Sequence, residues 1–291
     1  MKPVQMIPNM LTLANCGCGL LAISKGVDAL AYRGGDETFF YHKMEAACFL
    51  IFLGMVFDAL DGKVARLTRS FSDFGAQLDS FADALTFCAA PALLAKVLIE
   101  HEGAFLNYAG SPRLHFAAAA AFTLMGILRL ARFNLETEHD EEAHMSFSGL
   151  PVPAAAGAIT STLLMYLILR VPALEQAEGT VTPVGEMVGF FGAPNWTPIM
   201  NAMPYFLTVA LPLIGLVMVS RIPYVHVASM MSRSGGKFVS LVGFVFLAFG
   251  LYLAPVPFCF VVFNGFVLFG LMRAGLGFRK RKSTVSPASD A

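Results

Sequence analysis

Runs of about twenty apolar residues recur along this chain, at about 10–31, 44–66, 78–99, 114–132, 152–171, 202–220, 238–253 and 256–274. Each is close to the length that carries a helix across a bilayer. Inside hydrocarbon every backbone N–H and C=O must find its partner within the protein, which leaves helices or closed barrels. These runs are continuous rather than alternating, so they read as helices. The expected architecture is an all-α integral membrane protein of about eight transmembrane helices, with the last two joined by a tight turn at Ala254-Pro255. The alternative of six spans would make that final pair re-entrant. Composition agrees, since 56% hydrophobic with only 14% charged residues is too apolar for an ordinary soluble domain.

Lys and Arg set the orientation. With both termini inside, one face carries Lys2, Arg66, Arg69, Arg129, Arg132, Arg221, Arg233, Lys237, Arg273 and Arg279 to Lys282. The opposite face carries Arg33, Lys43, Arg113 and Arg170, a count of 13 against 4. Both termini are therefore expected to be cytoplasmic, in a cell (inner) membrane. Net charge is zero, so no global field argues for nucleic acid as a partner. No secretory signal peptide is expected. The five cysteines lie in apolar segments, with no zinc or disulfide spacing.

One polytopic membrane domain over 1–278 is expected. Residues 1–9 read as an interfacial lead-in broken by Pro3 and Pro8, and 172–201 as a long outer loop carrying Trp196. Residues 279–291 read as a basic, disordered cytoplasmic tail.

Between 58 and 83 the apolar background is interrupted by Asp58-x2-Asp61-Gly62-x2-Ala65-Arg66-x8-Gly75-x3-Asp79-x3-Asp83. The carboxylates pair at i, i+3 and i, i+4, so each pair shares one helix face. An ionised Asp at a bilayer centre costs roughly 2.5–3.5 kcal/mol, and four would cost on the order of 10 kcal/mol without compensation. Hard divalent cations compensate clustered carboxylates, which makes Mg²⁺ or Mn²⁺ the expected cofactor. Gly62 and Ala65 keep the backbone open to a flat ligand, and Arg66 offers planar donors to phosphate. On the expected topology both pairs lie in the cytoplasmic half of the bilayer, where the active site would face the cytoplasm. Ser72 and Asp73 read as a helix cap.

This pattern resembles, at every fixed position, the signature of the CDP-alcohol phosphotransferases, integral-membrane enzymes of phospholipid head-group synthesis. The resemblance implies that Asp58, Asp61, Asp79 and Asp83 hold two metal ions. It implies that Asp83 is also the catalytic base, taking the acceptor's proton. It further implies that Asp58, Gly62, Ala65 and Arg66 surround the cytidine diphosphate part of CDP-diacylglycerol. A homodimer is implied by the family alone.

The signature names a reaction and leaves the acceptor open. Ile7-Pro8-Asn9-x2-Thr12-x2-Asn15-x3-Gly19, Arg129-Leu130-Ala131-Arg132-Phe133-Asn134 and Phe147-Ser148-Gly149-Leu150-Pro151-Val152-Pro153-Ala154-Ala155 resemble the phosphatidylserine synthases of that family. The expected reaction is attack of the L-serine hydroxyl on CDP-diacylglycerol, giving phosphatidylserine and CMP. A serine site needs a cation for the carboxylate, and Arg129 and Arg132, at i, i+3 near the cytoplasmic end of span four, are the candidates; both also serve as positive-inside anchors. Glycerol 3-phosphate, choline and inositol are the alternative acceptors. A cation transporter using the aspartates as an ion site is the alternative of a different class. It would call for ionisable residues in further helices, and spans five to eight hold almost none.

Overall fold

The structure is a computed structural model and describes residues 6–31, 37–68, 72–105, 111–139, 149–178, 197–222, 224 and 237–283. Its elements are α1 (Met6–Ala31), α2 (Glu37–Thr68), α3 (Asp73–Asp83), a widened π-helical stretch (Ala84–Ala89) and α4 (Ala90–Phe105). Then follow α5 (Pro112–His139), α6 (Val152–Glu178), α7 (Thr197–Val219), α8 (Lys237–Leu253) and α9 (Pro255–Ser283). No strand occurs among the described residues.

Among the described residues six segments are long and apolar enough to cross a membrane: Met6–Leu30, Asp73–Gly103, Pro112–Leu135, Val152–Arg170, Asn201–Val219 and Pro255–Gly275. The chain is an integral membrane protein. Of the eight expected spans, two fall outside this set for physical reasons. The second carries Asp58, Asp61, Lys63 and Arg66 within α2, and α8 is described over 17 residues, a rise of about 25 Å.

Two segments form the centre of the bundle. Val152–Arg170 has 78% of its apolar window buried and Asp73–Gly103 has 72%, against 17% for Pro255–Gly275. Around them α1 packs along α2 and touches α3, α5 packs on α7, and α6 packs on α9. Lipid gives no hydrophobic drive between helices, so close approach of small residues and polar contacts hold such bundles. The core follows that rule, with Ala22, Ala90, Ala95, Ala155 and Ala158 fully buried beside Phe87, Phe122, Ile159 and Leu163. Asn264 of α9 donates to Ser161 Oγ and Thr162 Oγ1 of α6, each at 3.3 Å.

Several boundaries differ from those read in the sequence. α1 begins at Met6 and takes Pro8 into its first turn, where a missing N–H breaks no helical bond. The third span begins at Asp73 rather than near Gln77, because Ser72 caps it and accepts from the Gly75 N–H at 3.1 Å. α6 runs on to Glu178 and α7 starts at Thr197, so the expected outer loop is shortened at both ends; Trp196 lies outside the described residues. The backbone of 279–283 continues α9, Arg and Lys being good helix formers. Leu253 and Pro255 bound the last two helices as expected, with the Ala254 N–H on Gly250 O at 3.0 Å.

Candidate active site

α2 and α3 bring their aspartates together. The i, i+3 pair of α2 and Asp79 of α3 each offer a carboxylate oxygen, and these three oxygens lie within 4.8 Å of one another. Asp61 is buried, while Asp58 and Asp79 are half-buried. Asp83, one turn beyond Asp79, is 8% exposed and adjoins the π-helical stretch; it is not one of the three whose oxygens meet. Like charges at that separation repel by on the order of 3 kcal/mol per pair at an effective dielectric of about 20. No hydrogen-bond partner meets Asp79 Oδ1, although that atom is buried. A crowd of hard oxygen donors with one orphaned is the environment a divalent cation satisfies. These residues fit a metal ion.

α1 closes the site from a third direction. Thr12 Oγ1 donates to Asp61 Oδ2 at 2.8 Å, and Asn15 Nδ2 donates to Asp83 Oδ1 at 3.3 Å. Thr12 and Asn15 are i, i+3, so one face of α1 serves one carboxylate from each of the other two helices. Sequence reasoning quoted both residues without giving them a role. The signal was available: Thr12 and Asn15 are polar residues at helical spacing within the apolar first half of α1, and both are buried.

Beside the carboxylates lies a cavity of about 230 Å³. Its walls include Asp61, Gly62 and Ala65 of α2, Gly75 and Asp79 of α3, and Asn9 and Thr12 of α1. A side chain on Gly62 would meet nothing within 4 Å, so the glycine leaves the wall open there. At Gly75 a Cβ would come 3.0 Å from Ser72 Oγ and 3.2 Å from Asn9 Oδ1, so this glycine permits the α1–α3 contact. The structure thus places Gly62 and Ala65 at the cavity. Arg66, in the last turn of α2, is exposed and is not among the cavity residues.

α5 passes α3 in the opposite direction. Thr123 Oγ1 donates to Cys88 O at 3.3 Å, and Asn134 Nδ2 donates to Ser80 Oγ at 2.9 Å. That register sets Arg129 at the depth of Asp83. Arg129 is 5% exposed, with its guanidinium carbon 5.6 Å from the Phe133 ring centroid, whereas Arg132 is only half-buried. The segment after α5 returns at Gly149, whose N–H donates to Ile222 O at 2.9 Å beside the end of α7.

Comparison with known proteins agrees with this geometry. The chain is 32% identical to a CDP-diacylglycerol--serine O-phosphatidyltransferase of Helicobacter pylori over 167 residues, covering 56% of this chain and 60% of that one. It is 35% identical over 160 residues to the Bacillus subtilis protein of the same name, 55% of this chain and 76% of the other. An archaetidylserine synthase of Methanothermobacter thermautotrophicus is 33% identical over 160 residues, 54% and 58% of the two chains. The match therefore spans about 60% of the length of the Helicobacter relative. A profile described as CDP-alcohol phosphatidyltransferase matches residues 5–193, well over half of the sequence, and the stretch it covers contains every aspartate of the cluster. With three carboxylate oxygens meeting beside a cavity and that match across them, the chain belongs to the CDP-alcohol phosphatidyltransferase family.

Proposed function

We propose that this protein transfers a phosphatidyl group from CDP-diacylglycerol to L-serine, releasing CMP and leaving phosphatidylserine in the membrane. The observation that carries this reading is the meeting of three carboxylate oxygens from two helices beside a cavity open at Gly62. The names of the bacterial relatives support serine as the acceptor.

In this reading the cytidine diphosphate group lies along Gly62 and Ala65, with Arg66 reaching its phosphates from the end of α2. Asp83 accepts the proton of the serine hydroxyl. The serine oxygen forms a bond to the lipid-linked phosphorus as the bond from that phosphorus to the CMP oxygen breaks, and CMP departs with the electron pair. Asp58, Asp61, Asp79 and Asp83 would hold the metal; two Mg²⁺ or Mn²⁺ ions, when bound, neutralise charge on the attacking and leaving oxygens. Arg129, buried at the depth of Asp83, pairs with the serine carboxylate, and Arg132 remains the second candidate.

The same reading gives eight crossings, α2 and α8 included, both termini in the cytoplasm and the site in the cytoplasmic half of a cell (inner) membrane. One catalytic domain then covers 1–278, and a homodimer is proposed from the family alone.

Purified protein, CDP-diacylglycerol and Mn²⁺ or Mg²⁺ should be given labelled serine, glycerol 3-phosphate, choline or inositol in parallel. Labelled lipid from serine alone, lost with EDTA, is the expected result. Arg129→Gln should then raise the serine KM by tenfold or more, on the order of one charge-assisted bond. Label from another acceptor overturns the choice of serine, and no label from any acceptor overturns the reaction.

A further inference from the structure

Asn15 is the buried polar residue of α1 that packing explains least. Its side chain is fully buried, yet its Oδ1 meets no hydrogen-bond partner. Elsewhere along the same helix the buried face is filled with Cys18, Ala22 and Ala29. An apolar residue at position 15 would remove an orphaned carbonyl oxygen, but it would also leave the buried Asp83 carboxylate without a donor it now uses. What the amide does supply is an N–H to Asp83, at 3.3 Å from Oδ1.

Asn15 is itself clamped. Thr86 Oγ1 donates to the Asn15 carbonyl at 2.9 Å. Thr86 lies three residues beyond Asp83, inside the π-helical stretch Ala84–Ala89. Such widened turns are rare and recur at functional sites. A Cβ on Gly19 of α1 would collide with Thr86, and one on Gly54 of α2 would sit 2.7 Å from Thr86 Cγ2 and 2.9 Å from Asn15 Oδ1. Two glycines therefore let three helices close around this pair. The hydrogen bonds from Asn15 to Asp83 and from Thr86 to Asn15 form a short circuit between α1 and the helix carrying Asp83.

We propose that Asn15 is a positioning residue for Asp83, holding one carboxylate oxygen so that the other is presented to the acceptor hydroxyl and the metal, with Thr86 bracing it. This rests on the reading of Asp83 as ligand and base. The test compares full-length wild type with Asn15→Leu, Thr86→Val and Asp83→Asn in the same detergent. Melting in EDTA, Mn²⁺ titration without lipid substrate, kcat and the CDP-diacylglycerol KM are read for each.

Asn15→Leu should bind Mn²⁺ more weakly and lose about 10–100-fold in kcat per folded molecule, the usual effect of removing a ligand's outer partner. Its KM for CDP-diacylglycerol should stay within about twofold of wild type, because Asn15 does not line the cavity. Thr86→Val should move the same way by less. If Asn15→Leu does not fold, unchanged kcat in Thr86→Val overturns the proposal. So does a lowered melting point in Asn15→Leu with Mn²⁺ affinity and kcat per folded molecule as in wild type. An inactive Asp83→Asn beside a fully active Asn15→Leu sinks the positioning role alone, whereas an active Asp83→Asn removes the assignment of Asp83 on which it stands.

Discussion

Asp61 and Asp79 share one cluster but differ in support. Asp61 receives the Thr12 hydroxyl, while Asp79 keeps a buried oxygen with no hydrogen-bond partner. Asp79 is therefore held in place against both burial and repulsion unless a cation is present. Asp79→Asn should stabilise the metal-free protein by about 1–3 kcal/mol, the order of one close like-charge pair. In excess Mg²⁺ the order should reverse, since only the wild type gains from binding to the folded state. Melting curves in EDTA and in Mg²⁺ check both halves, and a variant less stable in EDTA would contradict this account. The aspartates were legible in the sequence because ionised residues at helical spacing are conspicuous in an apolar run. Thr12 and Asn15 were not legible as their partners, because Thr and Asn inside a membrane helix equally well bond their own backbone. Thr12 also reaches Pro8 O, at 3.1 Å.

At the scale of elements, the continuous apolar runs made the helices legible, while their ends were set by local chemistry. Ser72 starts α3 earlier than the apolar pattern indicates, and Pro8 fits within a first turn instead of preventing one. The π-helical stretch after Asp83 could not be foreseen, because a shift of one residue in backbone pairing leaves no trace in composition. The return from α5 to α6 depends on Gly149, at φ 93°. Any side chain there would adopt a backbone region that L residues avoid and would collide with Met218 O. Gly149→Ala should cost about 1–3 kcal/mol, the range for a residue forced into such a conformation. A melting temperature equal to wild type would show that the 149–151 segment relaxes freely.

Across the whole molecule, charge is buried at two levels. Far from the aspartates, Glu102 is 1% exposed and takes the Tyr41 hydroxyl at 2.7 Å, with Arg170 Nε at 3.6 Å from its other oxygen. Arg170 Nε also donates to the Tyr41 hydroxyl at 3.4 Å, so α2, α4 and α6 are tied together at this end. Glu102 and Asp83 are separated by about 28 Å along their common helical column. Arg170→Leu should leave Glu102 buried without its cation and cost about 3 kcal/mol, the low end for a broken buried pair because the Tyr41 hydroxyl still donates. Turnover per folded molecule should not change. A parallel loss of kcat in the folded fraction would mean that the two levels are coupled. Position 102 was legible only as a charge near a span end; its partners come from helices distant in sequence.

The flank of the site is greasy on purpose. Met10 and Leu13 of α1, Leu60 of α2 and Phe81 of α3 are exposed large apolar side chains within a turn or two of the carboxylates. Under the proposed reaction a two-tailed donor is met while still embedded in its leaflet, and only its polar head has to shift. The quantity that governs encounter is then mole fraction in a plane rather than molarity in a volume, so the composition of the surrounding sheet acts as part of the kinetics.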